Sequence, residues 1–157
     1  MMVVLVCQIL IFNNIHILGY VTPLMLGYMV LLFHKESGRI EMLLWAFFTG
    51  LIFDMFSNTA GIGSASCTLL AMLQPKLVEM FTPRDAAEDF TPSFKTMGLG
   101  RFIIYTIICM LILHTVFYAL EAFTISNWQL TLAAIGGGTL ISTFITIIFE
   151  LLTKNKE

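Results

Sequence analysis

Charged residues are scarce in this sequence. They make up 11% of its 157 residues, whereas hydrophobic residues make up 58% and the mean hydropathy is +0.90. An ordinary soluble domain carries about 25% charged residues. The scarcity excludes a water-soluble domain and predicts an all-α integral membrane protein.

Basic clusters and metal-binding cysteine patterns are also lacking. The net charge is −2, and nucleic-acid binding needs many Lys and Arg contacts to phosphate, so we expect no nucleic-acid partner. Cys7, Cys67 and Cys109 each lie inside an apolar run and share no metal-ligand spacing. No nucleophile elbow or phosphate-binding loop is present either. We therefore predict no enzyme, no catalytic residue, no metal and no cofactor.

Polar interruptions divide the chain into six predicted transmembrane helices of a single domain, residues 1–157. A span needs about 20 residues. The apolar stretch 42–80 is too long for one span, and Ser57 to Gly61 supplies turn residues, so it predicts a helical hairpin. The start is ambiguous: the first helix either spans as far as Leu18 or is partly re-entrant. The predicted helices are 1–18, 20–33, 42–56, 60–80, 101–121 and 129–152.

Residues 81–100 are predicted to form a cytoplasmic loop that lies on the membrane interface, and a disordered linker is the alternative. The positions of the basic residues support this arrangement. If each apolar stretch between them is a two-helix hairpin, all eight fall on one face, which the positive-inside rule makes cytoplasmic together with both termini. These residues are Lys35, Arg39, Lys76, Arg84, Lys95, Arg101, Lys154 and Lys156.

Two ionisable residues lie inside predicted spans and are candidate functional residues, because such residues are costly in lipid. Asp54 follows Glu41 by thirteen residues and His114 follows Arg101 by thirteen, so both are expected about 20 Å from the inner boundary. At one depth they could hydrogen-bond, relay a proton or bind a polar ligand. The structural alternative is that Asp54 caps the helix after the bend and His114 is a core residue. Gln8 is a further intramembrane polar residue.

Small residues elsewhere are interpreted as packing residues. Ser64, Ser66 and Cys67 follow the bend without a neighbouring base, which favours close helix approach. The run Gly136 to Gly138 predicts close packing or a local helix break. Glu150 is four residues before Lys154, which predicts an ion pair at the cytoplasmic end.

The stretch from Gly50 to Gly63, GLIFDMFSNTAGIG, places Gly-x-x-x-Asp at a helix end, then a short polar bend, then glycine at the next helix start. This pattern resembles the MreD family of bacterial rod shape-determining membrane proteins. Gln8 to Pro23, Leu73-Gln74-Pro75 and the total length add to the likeness. It covers nearly the whole chain in hydropathy, and about 35 residues in motif.

The resemblance implies a non-enzymatic scaffold in the bacterial inner membrane. Its partners would be MreC, MreB, RodA and a class B penicillin-binding transpeptidase, which together elongate the peptidoglycan wall. The fold would be a six-helix bundle similar to the substrate-binding subunits of energy-coupling-factor transporters. Gly50 would allow helix contact, Gly61 and Gly63 would shape the bend, and Asp54 would anchor the bend or face a partner.

Two alternatives belong to other functional classes. A substrate-binding subunit of a vitamin-type transporter would line a pocket with Asp54 and His114. The coupling helix of that family resembles Ala-x-x-x-Ala, however, and no alanine precedes Ala46 here. An enzyme acting on lipid-linked precursors would need intramembrane basic residues for pyrophosphate, and none is present at depth.

Overall fold

The computed structural model describes residues 24–31, 38–59, 61–82, 91–121 and 128–154, and every regular element among them is an α-helix. The all-helical class is therefore confirmed. The predicted helix 1–18 and Gln8 lie outside the described residues. The six helices described are α1 (Leu26–Leu31), α2 (Arg39–Ser57), α3 (Ile62–Phe81), α4 (Phe94–Met97), α5 (Leu99–Glu121) and α6 (Trp128–Lys154).

Three of these helices are long and apolar enough to cross a membrane: Arg39–Ser57, Leu99–Glu121 and Trp128–Thr153. At about 1.5 Å per residue, α2 is roughly 28 Å long, close to the hydrocarbon thickness of about 30 Å. Their outward surfaces carry large apolar side chains, among them Trp45 and Phe48 in α2 and Phe144 in α6. Water would disfavour such surfaces, whereas lipid accommodates them. These features indicate a membrane protein.

Helix α3 packs against α1, α2 and α5. Its buried residues include Ser64, Ser66, Cys67 and Gln74. The hydroxyl groups of Ser66 and Thr68 donate to backbone carbonyls four residues earlier, which satisfies them within the helix. Helix α3 can carry these buried polar residues because neighbouring helices, rather than lipid, cover them. The small residues after the bend thus lie in packed positions.

The short helix α1 is buried on every side, as expected for a uniformly apolar helix. Its Gly27 lies so close to α5 that an added Cβ would be 2.8 Å from the Met110 sulfur. Of the predicted helix 20–33, only residues 24–31 are described. The predicted loop 81–100 contains α4, which Ser93 and Thr96 begin with a capping box.

Candidate functional site

The candidate site lies at the sharp bend between α2 and α3. After α2 ends, Asn58 adopts a left-handed conformation (φ 56°) and its N–H bonds to the carbonyl of Asp54. Gly61, immediately before α3, has φ 81°. Asparagine tolerates this conformation and glycine adopts it without a steric penalty. The chain therefore reverses direction between Ser57 and Ile62 at the two residues best suited to it.

The carboxylate of Asp54 closes this bend. It is only 6% exposed. Its Oδ1 accepts hydrogen bonds from the Thr59 hydroxyl and the Gly63 N–H, both at 2.7 Å, and its Oδ2 accepts one from the Ser64 N–H at 2.9 Å. The first N–H groups of a helix have no partner within the helix, and its N-terminus favours negative charge. Asp54 thus caps α3 from the preceding helix, where Gly61 has no side chain to do so.

Two glycines allow the Asp54 carboxylate to reach the N-terminus of α3. A Cβ on Gly50 would lie 2.4 Å from the Cα and 2.6 Å from the backbone nitrogen of Ser64. A Cβ on Gly63 would lie 2.7 Å from Oδ1 of Asp54 and 2.9 Å from the Phe53 ring. The two helices therefore meet backbone to backbone. The structure brings together Gly50, Asp54, Gly61 and Gly63, the four residues that the sequence motif singled out.

His114 belongs to a second, separate network in the core. It is fully buried; its Nδ1 lies 2.8 Å from the Met110 carbonyl oxygen and its Nε2 lies 3.3 Å from Ser142 Oγ. A carbonyl only accepts, so Nδ1 carries a proton and donates. Ser142 Oγ in turn accepts the Leu24 N–H at 2.9 Å. With a neutral ring the Ser142 hydroxyl can donate to Nε2, and every member of the network has a partner.

The glycine run in α6 takes part in this second network through one residue. A Cβ on Gly138 would lie 2.6 Å from Cδ2 of His114, whereas a Cβ on Gly136 would meet nothing within 4 Å. Close packing is therefore the role of Gly138, and α6 continues as a helix through the run. No helix break occurs there.

The hydrogen bonds of Asp54 and His114 do not connect the two residues. Among the described residues, Asp54 bonds to residues of the α2–α3 bend, and His114 bonds to α5 and α6. The geometry thus matches the structural alternative for each residue. Across the described ranges, no group of three His, Cys, Asp or Glu side chains could hold a metal ion.

A buried Tyr28–Glu150 pair was missed by sequence reasoning. Glu150 is 1% exposed, and its Oε2 accepts a hydrogen bond from the Tyr28 hydroxyl at 2.6 Å. The Lys154 side chain, with which an ion pair was predicted, lies outside the described residues. The Tyr28 ring also contacts Phe149 edge-on, with ring centroids 5.5 Å apart. The pair joins α1 to α6 and buries a carboxylate expected at the membrane surface.

One signal in the sequence could have revealed this burial. Polar residues recur every three or four positions along α6, which marks one face of a helix. From residue 139 to residue 150 that face points inward, because five of its polar residues are buried: Thr139, Ser142, Thr143, Thr146 and Glu150.

No protein-family profile, curated protein or solved structure matches this chain. The fold and the site define its class: an all-helical membrane protein with a capped α2–α3 hairpin.

Proposed function

We propose that the protein is a non-enzymatic membrane scaffold of the MreD type that acts in elongation of the bacterial cell wall. One observation carries this proposal. Both ionisable candidates use their hydrogen-bonding groups on the chain itself, three bonds at Asp54 and two at His114. A catalytic or ligand-binding role would require those bonds to break, at about 1–3 kcal/mol for each buried group left unpaired. A scaffold needs these hydrogen bonds to remain intact, because they hold its helices together.

The motif that resembles the MreD family coincides with the capped hairpin. Gly50, Asp54, Gly61 and Gly63 each meet a specific geometric need there, so the motif has a physical reason in this chain. The hairpin fixes the outer face of α2, which presents exposed apolar residues such as Phe48, Met55 and Phe56. Partner membrane proteins would pack against such a face through van der Waals contact. MreC, MreB, RodA and a class B penicillin-binding transpeptidase are the proposed partners.

The proposal includes a location and a fold relation. The protein would lie in the bacterial inner membrane with both termini in the cytoplasm, and its bundle would be similar to the substrate-binding subunits of energy-coupling-factor transporters. One observation supports the orientation: Arg39 and Lys76 line the same groove, at the end of the hairpin opposite the bend. Basic residues collected at one end are typical of the cytoplasmic side.

Depletion of the protein from a rod-shaped native host tests this function. We expect cells to widen and become round as the protein is lost, and a plasmid-borne wild-type copy to restore rods. Uptake of vitamins should stay unchanged. Normal rods after complete depletion would contradict the proposal, and a selective loss of small-molecule uptake would favour the transporter alternative.

A further inference from the structure

A groove between the first turns of α2 and the second half of α3 has no role in the proposed scaffold function. Its volume is about 340 Å³, within the range of about 300–1,000 Å³ typical of ligand sites. Its walls are mostly apolar and include Met42, Leu43, Met72 and Pro75. Two basic residues, Arg39 and Lys76, also line the groove. The groove thus combines an apolar wall with positive charge.

The charges in the groove are available to a ligand. Arg39 and Lys76 are both exposed, and neither forms an ion pair within the described part of the chain. The nearest acidic residues in sequence, Glu41 and Glu79, do not line this groove, and Glu41 lines a neighbouring one with Trp45 and Phe48. The groove is therefore complementary to an anion.

The position of the groove identifies the kind of anion. Arg39 begins α2, roughly 27 Å from Ser57, and Lys76 lies in the second half of α3, roughly 21 Å from Ile62, at about 1.5 Å per residue. The distance from the bend to Arg39 is close to the hydrocarbon thickness of about 30 Å. With the bend at one membrane interface, Arg39 lies at the other, at the level of the lipid headgroups, and the backbone of Lys76 lies roughly 6 Å closer to the bend at about 1.5 Å per residue. Their long side chains can extend toward that layer while their stems remain in the apolar groove.

We propose that this groove binds an anionic phospholipid. Arg39 and Lys76 hold the headgroup phosphate, and an acyl chain lies along Leu43 and Met72 toward the membrane interior. Zwitterionic lipids offer the same chains but no net negative charge, so the two basic residues select between lipid classes. The ligand is a bilayer lipid rather than free phosphate, because the apolar walls need hydrocarbon to cover them.

Native mass spectrometry of the full-length protein tests the proposal. Delipidated protein in detergent is offered phosphatidylglycerol and phosphatidylcholine with identical acyl chains. We expect preferential binding of phosphatidylglycerol. Each basic residue near a membrane surface contributes about fivefold to anionic-lipid binding, so Arg39→Gln and Lys76→Gln should each weaken it about fivefold and together roughly 25-fold.

Two further variants make the test specific. Arg101→Gln removes one charge from an exposed position at the start of α5, away from the residues that line the groove, and should weaken phosphatidylglycerol binding much less than Arg39→Gln or Lys76→Gln. Met72→Trp narrows the groove at a residue that is 70% exposed and should weaken phosphatidylglycerol binding without a change of charge. Equal binding of both lipids, equal loss in Arg101→Gln, or displacement of the lipid by millimolar inorganic phosphate would each overturn the proposal. All variants should elute as folded protein, because the altered side chains are exposed.

Discussion

Asp54→Ala is expected to destabilise the protein by about 3–5 kcal/mol, because it leaves the buried N–H groups of Gly63 and Ser64 without an acceptor. At about 2–4 °C per kcal/mol for a chain of this size, the apparent melting temperature in detergent should fall by roughly 10 °C. Asp54→Asn should lose about half as much stability as Asp54→Ala. Its remaining oxygen can accept from Gly63 and Thr59, but its amide group would face the Ser64 N–H, donor against donor.

Glu41→Ala is the matched control for this prediction, because it removes a carboxylate from an exposed position on the same helix. Exposed substitutions of this kind usually change stability by less than about 0.5 kcal/mol. Equal melting temperatures for Asp54→Ala and Glu41→Ala would contradict the capping role. So would an Asn variant less stable than the Ala variant.

Gly50→Ala should separate α2 from α3 although it adds a single methyl group. The new Cβ would lie 2.4 Å from the Cα of Ser64, a backbone atom that cannot rotate away. Overpacking of this kind typically costs about 1–3 kcal/mol. For Gly50→Ala the loss of stability should lie at or above the upper limit of this range. The displacement of α3 would also pull its N-terminus away from Asp54, which lies one helical turn from Gly50. Thermal unfolding in detergent measures the loss.

Gly136→Ala is the matched control, because it adds the same methyl group to a helical glycine that does not touch a neighbouring helix. Nothing lies within 4 Å of its added Cβ, and alanine favours a helix over glycine by about 0.5–1 kcal/mol, so this variant should match or exceed wild-type stability. The double variant with Gly50→Ala and Asp54→Ala should lose less than the sum of the single losses, since both disrupt one contact. Strictly additive losses, or a tolerated Gly50→Ala, would disprove this account of the hairpin.

The hairpin could be predicted from the sequence because the residues that specify it are close together in the chain. An apolar stretch too long for one span, interrupted by turn residues near Asn58 and Gly61, leaves few conformations open to the backbone. The ends of the helices were harder to predict. The predicted helix 42–56 is observed as Arg39–Ser57, because hydrogen bonding continues through the charged first turn, beyond the apolar residues that marked the span. A membrane helix need not end where its hydrophobicity ends.

The role of Glu150 could not be predicted from nearby residues. Its sequence neighbours suggested a surface ion pair, whereas its observed partner, Tyr28, lies 122 positions earlier in the chain. Such a contact depends on the packing of α1 against α6, which no local pattern specifies. The partner of His114 shows the same limit, since Ser142 lies on another helix. Motif residues that act within one bend are predictable, and residues that join distant helices need the fold.

The scaffold proposal is tested most directly by affinity purification of the tagged protein from crosslinked membranes of its native cell, with the bound proteins identified by mass spectrometry. A tagged multi-span membrane protein of unrelated function, expressed at the same level, serves as the control. We predict enrichment of MreC, RodA or a class B penicillin-binding transpeptidase over that control. Enrichment of an ATPase-containing transporter complex in their place would contradict the scaffold function and return Asp54 and His114 to consideration as ligand contacts.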